Sequence, residues 1–135
     1  MNPTIERLRD AMNRHDPEGM AATMTPGYRS EQPVHPNRRF VGNQQVVANW
    51  TEMFRGIPDV SAEVLAEATD GRTSLAEWRW TGHYLDGSEF LSRGVCVVGL
   101  DDDGLIEWQR LYIEPVEENS AEIEEVVRQL SRSGQ

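Results

Sequence analysis

The residue pattern predicts an α+β fold in which a cone-shaped, curved antiparallel sheet wraps around three N-terminal helices and a C-terminal helix follows. Three observations carry this. Apolar residues before position 57 recur at helical spacing. From Val60 onward the period drops to two. Turn signals rich in Asp and Gly then cut that region into strands of hairpin length.

The elements follow in order. Asn2 is placed to cap a first helix with Pro3 at its first position, where the missing proline N–H costs nothing. Ile5, Leu8, Ala11 and Met12 mark its buried face. Asp16-Pro17-Glu18 repeats the signal and opens a short second helix through Met20 to Met24, which Thr25-Pro26-Gly27 is expected to stop. A short strand precedes the third helix. That helix starts near Gly42-Asn43, carries Val46, Val47, Trp50, Met53 and Phe54 on one stripe, and ends at Gly56 and Pro58. Val60, Ala62, Val64, Ala66 and Ala68 alternate with mostly polar residues as a half-buried strand. Asp70-Gly71, Asp86-Gly87 and Asp101-Asp102-Asp103-Gly104 read as turns between strands at about 73–84, 90–100 and 105–114. Asn119 and Glu122 form a capping box for a last helix with Ile123, Val126, Val127 and Leu130 on one face. The domain division is 1–118 for the cone and 119–135 for an acidic helix and tail, whose charges read as a solvated face. A bent sheet around helices leaves one open end, a natural small-molecule pocket.

Composition excludes several functions. The 135 residues suit one domain, and the net charge is −10. All 13 basic residues are arginine, so neither a Schiff-base lysine nor a P-loop lysine exists. The acidic balance argues against nucleic acid or an anionic membrane surface as partner, because binding phosphates needs clustered cations. The longest apolar run, Val95 to Leu100, is too short to span a bilayer, and no signal-peptide pattern opens the chain. A single cysteine, Cys96, makes no internal disulfide and suits the cytoplasm. His15, His35 and His83 are scattered without metal-ligand spacing, so no metal is expected, and no organic cofactor motif occurs.

Several spaced motifs carry a resemblance. Gly42 opens a helix ending in Ile57-Pro58-Asp59. Ala76-Glu77-Trp78-Arg79-Trp80-Thr81-Gly82-His83, Gly94-Val95 and Asp103-Gly104-Leu105-Ile106 follow, with Arg110-Leu111-Tyr112-Ile113-Glu114 behind them. From Thr4 to Val116 the chain resembles the SnoaL-like branch of the nuclear transport factor 2-like superfamily. That superfamily includes polyketide cyclases, ketosteroid isomerases, epoxide hydrolases, dehydratases and members with no known reaction, so the resemblance implies a fold more than a chemistry. The ketosteroid isomerase base and its two oxyanion donors would fall on Gln32, Leu8 and Cys96. The carboxylates and arginine of the epoxide hydrolases would fall on Leu111, Trp78 and Trp80. Neither mechanism can be built from those side chains.

Alternation sorts each strand into two faces, and the resemblance implies which is concave. It places Ala76, Trp78, Trp80, Cys96, Val98, Gln109 and Leu111 in the cone, and Glu77, Arg79, Arg93, Val95, Val97, Trp108, Arg110 and Tyr112 outside. The expected ligand contacts are therefore Gln32, Trp50, Trp78, Trp80, Cys96, Gln109 and Leu111. The tryptophans either stack a flat ligand or serve as ordinary core aromatics, and Cys96 reads as an inert buried thiol. At the mouth, Glu31 is the candidate general base, since desolvation beside a cavity raises a carboxylate toward neutral. His35 is the candidate proton shuttle, and the competing reading of this stretch is a solvated loop. The expected function is binding of a small apolar or aromatic ligand, with cofactor-independent isomerase or cyclase chemistry. The alternative is a non-catalytic homodimeric module with a filled cone. Trp108, Tyr112, Val95 and Val97, bordered by Arg110, form an outer patch expected to make a homodimer.

Overall fold

The computed structural model describes residues 1–132 of the chain, so the last three residues of the expected tail lie outside the described region. Four helices are α1 (Pro3–Asn13), α2 (Pro17–Ala21), α3 (Asn43–Gly56) and α4 (Ile123–Arg132). Six strands are β1 (Met24–Glu31), β2 (Phe40–Val41), β3 (Ser61–Asp70), β4 (Thr73–His83), β5 (Glu89–Leu100) and β6 (Ile106–Pro115). They form one sheet in the order β2-β1-β6-β5-β4-β3. Asn2 caps α1 through its side-chain oxygen, and Asp16 caps α2.

One strand departs from expectation. The second helix stops at Ala21, and Met24 begins β1, which runs parallel to β6 and makes the sheet mixed. Pro26 and Gly27 sit where the β1–β6 register shifts, between Met24 and Arg29. A bulge tolerates a proline that has no ladder N–H to give. The remaining neighbours are antiparallel, with Cys96 facing Ala76 on one side and Leu111 on the other.

The sheet curls with its concave side against α1, α2 and α3. Ile5, Leu8, Met12, Met20, Tyr28, Val46, Trp78, Val98 and Ile106 make the main core, and Ile57, Val60 and Phe90 make a smaller one near the mouth. Where β5 and β6 pinch together, a Cβ on Gly94 would lie 2.1 Å from the Tyr112 carbonyl oxygen, so only glycine admits that approach. Asn13 ties the helices to the open edge of the sheet. Its Nδ2 donates to the Ala62 carbonyl at 3.0 Å, and its Oδ1 accepts from the Ala62 N–H at 2.7 Å. The amide thereby replaces a missing neighbouring strand.

On the outer face, the Trp108 indole lies over Gly99, where a Cβ would come within 2.0 Å of its Nε1, and the Arg110 guanidinium caps the ring at 4.4 Å. Trp108, Val95 and Val97 are accordingly only half-exposed. The more open apolar groups there are Leu75 (42%) and Tyr112 (41%). On α4 the apolar face is bare: Ile123 and Leu130 are both 72% exposed.

Candidate functional site

A cavity of about 290 Å³ opens between the helices and the concave face of the sheet. Alternation along each strand determines what lines it. From β4 come Trp78 and Trp80, from β5 Phe90, Ser92 and Cys96, and from β6 Gln109, Leu111 and Ile113. Trp50 reaches in from α3 and meets Trp80 edge to face, with ring centroids 5.2 Å apart at 79°. The tryptophans are thus both packed against the core and presented to the cavity. Leu8, Gln32 and Cys96, where the ketosteroid chemistry would sit, all line it, as does Leu111.

Where β1 meets β6 the cavity wall is polar but uncharged. Gln109 Nε2 donates to the Tyr28 hydroxyl at 2.7 Å, with Ser30 as a second hydrogen-bond partner of the tyrosine. Burial pushes the Tyr28 phenol up to about 12 and the Cys96 thiol up to about 12. Both therefore stay protonated near neutral pH. Among the described residues, one buried side-chain polar atom has no hydrogen-bond partner: the indole Nε1 of Trp80.

The mouth corrects one expectation. Ser30 pairs with Gln109 and both face inward, so the next residue, Glu31, faces outward. It lines a groove on the convex face with Arg29, Trp108 and Arg110. Glu31 is therefore not among the residues that line the cavity. Gln32, one residue further, turns back in.

Glu114 supplies a carboxylate at the rim instead. Its Oε1 accepts from His35 Nε2 at 2.7 Å and lies 3.9 Å from Arg38 Nη1, which in turn donates to Gln32 Oε1 at 3.0 Å. An ionised carboxylate can only accept, so Nε2 is the nitrogen that carries the proton. His35 thus stands behind Glu114, and Glu114 and Arg38 reach the cavity. Sequence reasoning missed this pair because residue 114 falls on the outward parity of β6. Its reach to the rim depends on β1 ending four residues earlier in register, at Arg110. The other histidines serve the scaffold. His15 stacks on Phe54 and bonds the Val60 carbonyl, while His83 pairs with Asp59.

Helices cupped by a strongly curved, unclosed sheet around an interior cavity define the cone architecture of nuclear transport factor 2-like proteins. Residues 5–108 match the model of the SnoaL-like domain, and the chain belongs to that family. A provisionally named SnoaL-like polyketide cyclase from Jannaschia sp. CCS1 has a similar structure at 25% identity and TM-score 0.69, over 82% of this chain and 83% of that one. A protein with ketosteroid isomerase-like fold from Catenulispora acidiphila DSM 44928, in complex with trimethylamine, is similar at 12% identity and TM-score 0.71, over 82% and 85%. A SnoaL-like protein of unknown function from Burkholderia thailandensis E264 is similar at 22% identity and TM-score 0.64, over 84% and 92%. No curated protein matches the chain. Among the described residues no helix is long and apolar enough to cross a membrane.

Proposed function

We propose that the cone binds a small, largely apolar, ring-containing molecule, and that Glu114 acts on it as a general base in a cofactor-independent isomerisation or cyclisation. The observation that carries this reading is the aromatic cavity with the Glu114–His35 pair on its rim. Trp50, Trp78, Trp80, Cys96, Gln109 and Leu111 are the wall contacts for the ring, and Gln32 and Arg38 border its outer end. His35 is a positioning residue: its N–H fixes one oxygen of Glu114 and leaves the other for the substrate. That oxygen takes a proton from a carbon beside a carbonyl, and the C–H electron pair becomes an enolate. Return of the proton at another carbon is an isomerisation. Attack of the enolate carbon on a second carbonyl breaks the π bond of that carbonyl and closes a ring, the resulting alkoxide takes the proton back from Glu114, and neither step needs an oxidant. The likeness to the Jannaschia protein, named as a polyketide cyclase, supports the same class.

The test is α-proton exchange of 2-tetralone in D2O, followed by NMR. Wild type is expected to speed deuterium incorporation at C1. Glu114→Gln should lower that rate by roughly 100-fold without abolishing binding. A second reading, a binding module without chemistry, draws on the 46% side-chain exposure of Glu114, which leaves the base unenclosed. Wild type that binds 2-tetralone but exchanges it no faster than buffer would favour that module and refute catalysis.

We also propose a homodimer through the convex face, where Leu75, Val95, Val97 and Tyr112 gather beside Trp108 and Arg110. One sheet face meeting its own copy gives a closed two-fold assembly.

A further inference from the structure

We infer that α4 docks on a second copy of this chain, its apolar stripe laid over the convex groove between β1 and β6 that Arg29, Trp108 and Arg110 line. The inference rests on the homodimer proposed above and names an element that the two copies exchange.

The apolar face of α4 lacks cover. At about 3.6 residues per turn, Ile123, Val126, Val127 and Leu130 share one face, and Glu122 and Glu124 flank it. The Val126 N–H donates to the Glu122 carbonyl, so Glu122 belongs to the first turn. The Glu125–Arg128 ion pair lies on the opposite face. Ile123 and Leu130 are 72% exposed and Val127 is 54% exposed. A helix this short draws its stability from packing.

The groove complements that helix in shape of surface and in charge. Val41, 71% exposed, stands beside Arg29, and Arg29 beside Trp108, in one row across β2, β1 and β6. Arg79 and Arg93, on the same face of the sheet, are paired with Glu63 and Glu77. Among the described residues Arg29 and Arg110 have no ion-pair partner, and neither have Glu122 and Glu124. With Glu31 counted, the groove carries two cations against one anion. Residues 116–132 carry five acids against two arginines. Unpaired carboxylates beside an apolar stripe thus meet unpaired guanidiniums beside Val41 and an indole.

The connector decides which copy supplies the helix. The Val116 N–H donates to the Leu91 carbonyl at 3.0 Å, which turns the chain toward β5 and away from β1. From there the groove lies about 20 Å back along β6. Residues 117–122 span at most about 20 Å when fully extended, and a turn at 118–119 shortens them. The chain's own α4 therefore falls short of its own groove. A two-fold axis that sets the two β6 strands antiparallel brings the end of one beside the start of the other. Each copy then gives one helix and receives one. Two docked helices bury on the order of several hundred Å², a substantial share of the roughly 1,600 Å² in a stable interface.

The experiment measures dimer dissociation of the full chain by sedimentation velocity, for wild type, Leu130→Glu, Arg29→Glu and an equimolar mixture of the two variants. Both residues are exposed, so both variants are expected to keep the fold. Each variant spoils two contacts per dimer and should weaken it by roughly 100-fold. In the mixed dimer one intact helix meets one intact groove, so the mixture should recover roughly tenfold. A mixture that recovers nothing, or a loss confined to Leu130→Glu, overturns the exchange. Variants that dimerise as tightly as wild type overturn this inference and leave the sheet-face dimer standing. A wild type that is monomeric throughout overturns both. Should Arg29→Glu fail to fold, Arg29→Gln takes its place, with a loss and a recovery in the same directions expected.

Discussion

Gln109 and Tyr28 hold each other in the cavity wall where β1 meets β6, the amide donating to the phenol oxygen at 2.7 Å with both residues buried. Removing the phenol strands the amide donor, so Tyr28→Phe should cost about 1–3 kcal/mol in a urea titration. An unchanged midpoint would mean that water satisfies Gln109 in its place. Leu111 presents only hydrocarbon to the cavity. Leu111→Asp places an unpaired carboxylate there and should destabilise the domain by about 1–3 kcal/mol near neutral pH. Burial would raise that carboxyl in the folded state, so the penalty should shrink as pH falls through the raised value. A melting temperature equal to wild type at both pH 7 and pH 4 would show that the side chain is solvated. Period-two parity, with the concave side taken from the family resemblance, placed Trp78, Trp80, Cys96, Gln109 and Leu111 on one face, because each lies well inside a paired strand. It failed for Glu114, and it was not applied to Glu31, whose stretch read as a mouth loop although Glu31 keeps the outward parity of β1. At Glu114 the side-chain direction depends on where the neighbouring strand stops, which no local pattern encodes.

Two clamps operate between elements. Asn13 occupies the free edge of β3 with a pair of bonds to Ala62. Asn13→Ala should leave both backbone groups without their partner and cost about 1–2 kcal/mol of stability. A loss below a few tenths would indicate that water replaces the amide. The second clamp joins the segment after α3 to the end of β4. Asp59 accepts from the His83 backbone N–H at 2.7 Å and pairs with its Nδ1 at 2.6 Å. The hydrogen bond to Asp59 raises the His83 imidazole, and the bond to His83 lowers the Asp59 carboxyl. The raised histidine contributes stability below its unfolded value of about 6.5, which is lost as pH rises through the folded value. The lowered aspartate contributes above about 3.9, and this is lost as pH falls through its folded value. Asp59→Asn should therefore lower the melting temperature most at about pH 5–6 and least at about pH 9. A pH-independent difference would mean the pair is not ionic. At this scale the helices and β3 to β6 were legible because caps, stripes and Asp-Gly turns are local signals, although α4 starts at Ile123, past the capping box expected of Asn119 and Glu122. β1 was legible only as a short strand before α3, without its start or its parallel pairing, since Thr25-Pro26-Gly27 carries the signature of a stop and its partner, β6, lies some 80 residues away.

For the whole molecule, the convex face is less open than its composition suggested, because Gly99 and Arg110 sandwich Trp108. Tyr112 is consequently the better probe of the proposed dimer than Trp108, whose replacement would also disturb its own sheet. Tyr112→Glu is expected to yield monomers in light scattering at micromolar concentration, with an unchanged fold by circular dichroism. A wild type that already runs at 15.3 kDa refutes the dimer. The claim on which the functional reading depends is that the cone, and not the outer groove, takes the ligand. The four tryptophans are natural reporters, since Trp50, Trp78 and Trp80 line the cavity and Trp108 lies across the sheet from it. The measurement is a titration of the 15N-labelled protein with 2-tetralone, following the four indole N–H resonances. Saturable shifts of the three cavity indoles, with Trp108 unmoved, are the expected result; a shift of Trp108 alone, or no shift in any of the three at saturating ligand, would contradict the account.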